Sequence, residues 1–390
     1  MTFRFVCSEC GREYEPGSFI WRCAVCGGLL DLADFPVRFP LHKIGKRAAT
    51  LWRYREALPF EKTYEGWQGV TMGEGLTPLV PLSRDRTNVA LKIEYLMPTL
   101  SFKDRGAAVL IAKAQELGVR SVVADSSGNA GTAVAAYTAR AGIACDIYVP
   151  SRTSPKKIKQ IAAHGATVHA IEGTREDTAQ AALEAVEQGT SYYASHIYNP
   201  FFYQGTKTYA FEIWEQLGGH APDVLVLPVG NGTLVLGPYY GFKELLRAGL
   251  IGKMPRFLAV QAEGCAPLAE AFERGDDVAV PVVNTGTEAE GIAIAAPARS
   301  RQILAAIRDT GGSIMMVPDA AIEDARLALA TQGFYVEPTA AVAYASFLAC
   351  LDLANNNSHR DERLASLVQE IVDRGKQIVI PLCGAGLKAV

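Results

Sequence analysis

The sequence predicts an open α/β fold with parallel sheets, preceded by a small cysteine-rich module. The first observation is an alternation of short apolar strands with helices, which is typical of βαβ units. Strand patterns lie at 119–125 (VRSVVAD), 144–150 (ACDIYVP) and 166–171 (ATVHAI), with helical patterns between them at 129–142 and 154–165. Because strands joined by a crossover helix pair in parallel, these segments predict one parallel sheet.

The second observation is that the alternation resumes later in the chain. A helix at 175–189, capped by Thr174, ends the first run, and strand patterns return at 223–230, 256–264 and 376–382. We therefore expect two open α/β lobes, with the later part of the chain returning to the lobe that the first part began.

The third observation is a pair of CxxC motifs near the N-terminus, formed by Cys7, Cys10, Cys23 and Cys26. Two such motifs at this separation match the spacing of tetrahedral four-cysteine zinc sites. We expect a structural zinc, because four thiolates fill the coordination shell and leave no open position for chemistry. The alternative is a knuckle of the same shape that no longer holds metal.

Length and composition set further bounds. The 390 residues exceed what one hydrophobic core usually organises. We expect a zinc-ribbon-like module at 1–36, a large α/β domain from 37–110 plus 206–390, and a small α/β domain at 111–205. A net charge of −3 gives no basic excess for a nucleic-acid partner, and no apolar run is long enough for a membrane. No secretory pattern opens the chain, so a cytoplasmic location is expected.

Two glycine-rich turns each follow an apolar strand and open a helix. They are SSGNAG at 126–131 and GNGTL at 230–234. Backbone N–H groups at a helix N-terminus favour anions, and the hydroxyl of Thr233 suits a phosphate. The second turn is not a dinucleotide fingerprint, because Val235 stands where the third glycine is required, and the chain contains no Walker A loop.

The segment PTLSFKDRG at 98–106 places Lys103 near the start of a helical pattern. A helix N-terminus disfavours an ammonium ion and lowers the pKa of a lysine, and desolvation by Phe102 acts in the same direction. Such a lysine is a candidate amine for a Schiff base. A reactive lysine together with a phosphate cradle in an open α/β fold suggests pyridoxal 5′-phosphate as the cofactor.

Six motifs together resemble the fold-type II pyridoxal-phosphate enzymes, whose fold is tryptophan synthase β-like. The motifs are PTLSFKDRG, SSGNAG, GNGTL, EGIAIAAPAR (290–299), FYVEPTAA (334–341) and LCGAGLK (382–388). FKDRG, the cysteine module and GTKTYAFEI (205–213) are most similar to the threonine synthase family. This resemblance extends over essentially the whole chain.

The resemblance implies roles for individual residues. Lys103 bonds the cofactor aldehyde and then moves protons, Asn129 contacts the cofactor's 3′-oxygen, and Cys383 lies beside the pyridine nitrogen. Cys383 also has a simpler interpretation as a buried thiol. Two runs of residues bind anions: Gly230, Asn231, Gly232 and Thr233 the cofactor phosphate, and Ser126, Ser127 and Gly128 the substrate carboxylate.

The implied function is that of a pyridoxal-phosphate-dependent lyase converting O-phosphohomoserine and water to threonine and phosphate. One departure stands out: many family members have an arginine where NPFFYQGTKT (199–208) has Phe202. The alternatives are therefore a serine/threonine ammonia-lyase or a β-replacement enzyme, and then a non-catalytic binding protein. The resemblance also implies a small amino-acid substrate and a homodimer.

Overall fold

The protein is described here from a computed structural model, which covers residues 3–15, 19–33, 35–189, 191–356 and 362–388. Contacts divide the chain into two compact units. The first unit comprises Met1–Gly75 and Lys103–Thr208, and the second comprises Leu76–Phe102 and Tyr209–Val390. Each unit contains its own sheet built mainly of parallel strands.

Thirteen strands form three sheets in the described residues. In chain order the strands are β1 (Phe5–Cys7), β2 (Glu13–Tyr14), β3 (Leu30–Leu32), β4 (Leu79–Ser83), β5 (Arg86–Lys92), β6 (Ser121–Ala124), β7 (Ala144–Pro150), β8 (Thr167–Ile171), β9 (Tyr192–Tyr193), β10 (Val224–Pro228), β11 (Arg256–Ala262), β12 (Ser313–Val317) and β13 (Ile378–Pro381).

Fourteen α-helices accompany them in the same part of the chain. They are α1 (Leu41–Ile44), α2 (Trp67–Val70), α3 (Lys103–Glu116), α4 (Asn129–Ala141), α5 (Pro155–Ala163), α6 (Arg175–Gln188), α7 (Pro200–Thr206), α8 (Thr208–Gln216), α9 (Thr233–Arg247), α10 (Pro267–Arg274), α11 (Ser300–Asp309), α12 (Asp319–Thr331), α13 (Pro338–Asn356) and α14 (Glu362–Val372). Short 3₁₀ helices lie at Leu51–Ala57, Glu94–Leu96, Glu290–Ile292 and Gly386–Lys388.

The sheet order confirms the predicted α/β class. In the first unit, β1 pairs antiparallel with β2 and β3, and a four-stranded parallel sheet has the order β8-β7-β6-β9. The second unit holds a six-stranded sheet of order β12-β11-β10-β13-β5-β4, in which only β4 runs antiparallel. Strand β13, from the later part of the chain, thus pairs with β5, which precedes the four-stranded sheet of the first unit in the chain.

Local sequence signals account for several helix boundaries. Thr174 caps α6 through a capping box: its hydroxyl accepts the N–H of Asp177 at 3.1 Å, and the Asp177 carboxylate accepts the N–H of Thr174 at 2.7 Å. Helix α4 ends at Gly142, whose φ of 69° is left-handed, a conformation that glycine adopts without strain.

The structure differs from the sequence expectations in three places. Lys103 is the first residue of α3, whereas the sequence pattern suggested a helix starting just after it. The segment 36–75, for which the sequence shows no regular pattern of strands or helices, contains α1, α2 and a 3₁₀ helix. The antiparallel β4–β5 pair was not predicted, because Pro81 interrupts the pattern and the register shifts after it.

The contact-based units also differ from the predicted ranges. Residues 37–75 and 103–110 group with the small sheet rather than with 206–390. The physical reason is close packing of α3 on α7. A Cβ at Gly106 would come within 2.2 Å of the Phe202 ring, and one at Gly205 within 1.9 Å of the Arg105 carbonyl oxygen. The division into three domains stays a prediction.

Within the part of the chain that the structure describes, no helix has the length and apolarity needed to cross a bilayer.

Candidate active site

Three neighbouring parallel strands of the second unit bring several motif residues to one sheet edge. Strand β13 lies between β10 and β5 and runs parallel to both. The GNGTL turn follows β10, Cys383 follows β13, and the segment that leads to Lys103 follows β5. Because the carboxyl ends of parallel strands lie at the same edge, this is where open α/β folds bind their ligands.

The GNGTL turn forms a bare backbone loop at the start of the 15-residue helix α9. Gly232 has a φ of 80°, and a Cβ there would lie 2.5 Å from the Cδ1 atom of Ile303. A Cβ at Gly230 would lie 2.9 Å from the Cα of Ile292. Only glycine fits both positions, so main-chain N–H groups line this loop at the helix N-terminus, which is the chemistry that an anion site requires.

Cys383 is buried, and its main chain is fixed to the segment before the candidate lysine. Its carbonyl oxygen accepts the N–H of Phe102 at 3.0 Å, and Ser101 forms an antiparallel bridge with Gly384. The Glu337 carboxylate lies directly against Gly384, since a Cβ on that glycine would be 2.2 Å from the carboxylate. Glu337 therefore lies beside the Cys383 strand end, as well as immediately before helix α13.

Lys103 is the residue after Phe102 and opens α3 in the first unit. It is half-buried between the buried neighbours Phe102 and Asp104, and its ammonium nitrogen lies 5.9 Å from the Phe202 ring centroid. Phe202 is fully buried, and its ring packs on the Cα of Gly106. The buried Phe202 ring therefore forms part of the apolar surroundings of Lys103.

The SSGNAG turn follows β6 and opens the 13-residue helix α4. Ser126, Ser127, Gly128 and Asn129 are all half-buried, and an added Cβ at Gly128 would meet no atom within 4 Å. A Cβ at Gly131 would instead lie 1.8 Å from the Ser126 carbonyl oxygen. Glycine at 131 thus lets the turn fold tightly onto the helix, with open space on its outer side.

Three residues of this region were not singled out from the sequence: Asp125, Tyr193 and His196. The Tyr193 hydroxyl donates to the Asp125 carboxylate at 2.8 Å. Burial raises the pKa of Asp125 to about 6. Burial and the positive charges of Lys103 and Arg175 hold the pKa of His196 well below its usual range, so its imidazole is neutral. Asp125 follows β6, and Tyr193 and His196 end or follow β9, the strand next to β6 in the same parallel sheet. Their place at the carboxyl ends of predicted strands is the only feature of the sequence that could have identified them.

The four N-terminal cysteines converge in space. Their sulfur atoms all lie within 4.8 Å of one another, with 3.5 Å between Cys7 and Cys26 and 3.6 Å between Cys10 and Cys23. Zinc–sulfur bonds of about 2.3 Å in a tetrahedron place sulfur atoms about 3.8 Å apart. The cluster therefore has the donor type and the size of a four-thiolate zinc site.

Comparisons with known proteins agree with this geometry. Residues 70–387 match the family described as pyridoxal-phosphate dependent enzyme. The threonine synthases of Methanosarcina acetivorans and Methanocaldococcus jannaschii are each 34% identical to this chain. Both alignments cover 98% of this chain, and they cover 94% and 92% of the two relatives. The chain belongs to the threonine synthase family of pyridoxal-phosphate-dependent enzymes.

A solved structure supports the fold assignment. The processed form of threonine deaminase isoform 2 from Solanum lycopersicum aligns with a TM-score of 0.67 at 22% identity, covering 90% of this chain and 87% of that one. At this identity the likeness concerns the fold alone, which is the fold-type II architecture that the threonine synthase family shares.

The residues present fit pyridoxal phosphate. The GNGTL loop has the glycines and the helix N-terminus that a phosphate requires, and added Cβ atoms would fill it. Lys103 offers a half-buried primary amine at a helix start. The second unit groups the loop with Cys383 at one sheet edge, and the first unit holds Lys103 and the SSGNAG turn.

Proposed function

We propose that this protein converts O-phosphohomoserine and water to threonine and phosphate. The observation that carries the proposal is the 34% identity to proteins named threonine synthase over nearly the full length of both chains. The intact Lys103 and the two glycine-rich turns support an active enzyme over a non-catalytic binding protein.

Bound pyridoxal phosphate supplies an electron sink that makes the C–H bonds of an attached amino acid acidic. In our proposal Lys103 holds the cofactor through its amine, and Nζ then takes up and returns the protons that the reaction moves. Asp104 and Phe102, both buried, flank this lysine and limit water around it. Asn129, the first residue of α4, would hold the cofactor through its 3′-oxygen.

Two backbone loops bind the anionic groups. Gly230, Asn231, Gly232 and Thr233 hold the cofactor phosphate at the N-terminus of α9. Ser126, Ser127 and Gly128 hold the substrate carboxylate at the N-terminus of α4, where main-chain N–H groups and the helix dipole favour negative charge.

Cys383 supports elimination and replacement chemistry over transamination. If the Cys383 thiol were the partner of the pyridine nitrogen, that nitrogen would stay unprotonated, and the cofactor ring would be a weaker electron sink than with a carboxylate partner. The thiol is buried at a strand end next to Gly384, where the Glu337 carboxylate also lies.

A second candidate function is favoured by Phe202. This residue is fully buried on Gly106, in the position where many family members have an arginine, and it offers no charge to a substrate phosphate. A substrate without a phosphate, such as serine or threonine, needs no such cation. A serine/threonine ammonia-lyase, or a β-replacement enzyme, is the alternative for this reason.

One incubation distinguishes the candidates. Purified, cofactor-loaded protein is supplied separately with O-phosphohomoserine, L-threonine and L-serine, and released phosphate, threonine and 2-oxo acid are measured. Phosphate and threonine in equal amounts from O-phosphohomoserine support the synthase. Oxo acid from threonine or serine, without phosphate release, would assign the ammonia-lyase, and no product from any of the three would refute both.

Three further features belong to the proposal. We infer a structural zinc at Cys7, Cys10, Cys23 and Cys26, supported by four convergent thiols of the right spacing. A cytoplasmic location is consistent with the scattered cysteines Cys145, Cys265, Cys350 and Cys383, which form no disulfide among the described residues. A homodimer remains a prediction from the family resemblance.

A further inference from the structure

A side-chain hydrogen bond holds Asp125, the residue immediately before the substrate turn. Asp125 lies between the end of β6 and Ser126, and its carboxylate accepts the Tyr193 hydroxyl at 2.8 Å. The two strands involved are direct neighbours: Val123 pairs with Tyr193, and the N–H of Ala194 donates to the Val123 carbonyl at 2.8 Å. The Tyr193 side chain and the main chain of the next residue, Ala194, therefore both hold the end of β6.

The cysteine module holds the Tyr193 ring in place. Trp21, two residues before Cys23, packs edge-on against Tyr193 at 5.5 Å and against Tyr198 at 5.3 Å between ring centroids. Tyr198 also stacks on Tyr193 at 6.0 Å. Tyr193 itself is buried, so its ring has little freedom to turn its hydroxyl away from Asp125.

Trp21 is itself in contact with Arg22, which forms an exposed ion pair. The Arg22 guanidinium lies 4.4 Å from the Trp21 ring centroid and pairs with the Glu187 carboxylate of α6 at 3.2 Å. Such an exposed pair adds little energy alone, but it limits the directions in which the Trp21 ring can move.

The protonation states suit this arrangement. Burial raises the pKa of Tyr193 well above its usual range, so the hydroxyl remains a donor. Burial raises the pKa of Asp125 to about 6, and the Tyr193 hydroxyl and the positive charge of Arg175 act against that rise. In the described residues, the titratable or charged groups that face this pair are Arg175 from α6 and Tyr198 from the segment after β9.

We propose that Tyr193 is a positioning residue for the substrate-carboxylate turn at Ser126–Gly128, and that Trp21 of the cysteine module holds it there. Tyr193 acts through Asp125 and does not touch the substrate. The inference rests on the proposed binding of the substrate carboxylate by this turn. It gives the N-terminal module a role in the active site that a purely structural zinc knuckle would not have.

The test compares Tyr193→Phe with the matched control Tyr192→Phe. Both residues lie on β9 and both are buried, but the Tyr192 hydroxyl pairs with the Asn199 side chain at 2.7 Å and not with Asp125. Hydrogen–deuterium exchange of the 126–129 amides is followed together with kcat and KM for O-phosphohomoserine. Trp21→Ala serves as the second variant.

Tyr193→Phe is expected to speed exchange at 126–129 and to raise KM about tenfold, the factor for losing one hydrogen bond to a charged group. The kcat stays within about twofold of the wild type, because Lys103 is untouched. Trp21→Ala gives the same pattern, more weakly. Tyr192→Phe leaves exchange at 126–129 and KM unchanged.

The pH profile provides a readout that loss of general stability does not reproduce. Burial raises the pKa of Asp125 to about 6, and protonation weakens its bond to Tyr193, so KM is expected to rise as the pH falls below that value in the wild type and to lack this rise in Tyr193→Phe, where the bond is already absent. Asp125→Asn keeps a neutral acceptor for Tyr193 but removes the charge, so its KM and its exchange at 126–129 are expected to lie between those of the wild type and Tyr193→Phe, with no change of KM near pH 6.

The outcomes separate the two levels of inference. Unchanged exchange and unchanged KM in Tyr193→Phe would overturn the positioning role even if the wild type makes threonine. Equal effects from Tyr192→Phe would overturn it as well, because the cause would then be the stability of β9. If no variant forms threonine but exchange at 126–129 still rises in Tyr193→Phe alone, the proposed substrate fails and the positioning role stands.

Discussion

One methyl group at Gly131 is expected to disable the substrate turn. Gly131 is the last residue of the SSGNAG motif and lies in the first turn of α4. In Gly131→Ala the new Cβ would lie 1.8 Å from the Ser126 carbonyl oxygen and 3.4 Å from the Ser126 Cβ. The nearest atom belongs to the backbone, so no side-chain rotation relieves the contact.

The size of the effect follows from that distance. Contacts of a Cβ essentially never fall below 3.0 Å, so Ser126 and the helix must separate by about 1.2 Å. A displacement of about 1 Å in a group that positions substrate costs about a hundredfold in rate. Overpacking of this kind also destabilises by about 1–3 kcal/mol, less the roughly 0.5–1 kcal/mol that alanine gains over glycine inside a helix.

The assay measures kcat/KM for O-phosphohomoserine, the absorbance of the bound cofactor and the Tm of each variant. Gly131→Ala is expected to lower kcat/KM about a hundredfold, mainly through KM, while the cofactor remains bound. Gly69→Ala is the control, because its added Cβ meets no atom within 4 Å and its φ is not left-handed. This control should keep full activity and the same or a slightly higher Tm.

The result that would refute the reasoning is a Gly131→Ala enzyme with a KM within about twofold of the wild type. Such a result would mean either that the turn yields without cost or that it does not bind the substrate carboxylate.

Lys103→Ala is expected to lose both the yellow absorbance of the bound cofactor and all turnover while its circular dichroism stays native; retained turnover would rule out the role of this amine. Elemental analysis is expected to find about one zinc per chain, and Cys10→Ser to lose the metal with a lower Tm; a fully active, metal-free wild type of unchanged Tm would contradict the site. Lys92 and Glu212 form a 2.9 Å ion pair in which both side chains are fully buried. Lys92→Met should therefore lower the free energy of unfolding in urea by about 3–5 kcal/mol, and adding Glu212→Leu should restore much of it, since the unpaired buried charge is then gone. A single variant as stable as the double variant would show that the carboxylate is not the cause.

Features that depend on residues close together in the chain were predictable. The capping box at Thr174 and Asp177 spans three residues, and the two CxxC motifs each lie on one tight turn, so their patterns identify them directly. The strand–turn–helix units at 126 and 230 were also predictable from the sequence, because each combines an apolar run, a glycine-rich turn and a helical pattern. These local units were enough to predict the fold class and the family resemblance.

Helix α13 shows where the periodic patterns fail. Its sequence is apolar nearly all round, and it packs against β10, β11 and β12 of the central sheet. A helix buried on most sides has no amphipathic stripe, so period counting alone does not separate it from strand or loop. The position of α13 in the fold is determined by its packing on β10, β11 and β12.

Phe202 shows the same limit at the level of the site. From the sequence it was an unexpected substitution for a cation, and its consequence for the substrate was open. In the structure its ring packs on Gly106 of α3, a residue far away in the chain, and its centroid lies 5.9 Å from the Lys103 nitrogen. Only the close approach of α3 and α7, which Gly106 and Gly205 permit, decided that the aromatic ring belongs to the lysine's surroundings.

The sequence by itself determined the α/β class, the candidate lysine, the two glycine-rich turns and the four clustered thiols, because each is specified by a few consecutive residues with a fixed chemistry. Only the tertiary structure decided that Trp21 packs on Tyr193, whose hydroxyl bonds Asp125 beside the SSGNAG turn. It also decided that a Cβ at position 131 would meet the Ser126 carbonyl oxygen. Those facts depend on side chains from distant segments meeting within a few ångströms, and a linear pattern of residues carries no record of which distant segments will meet.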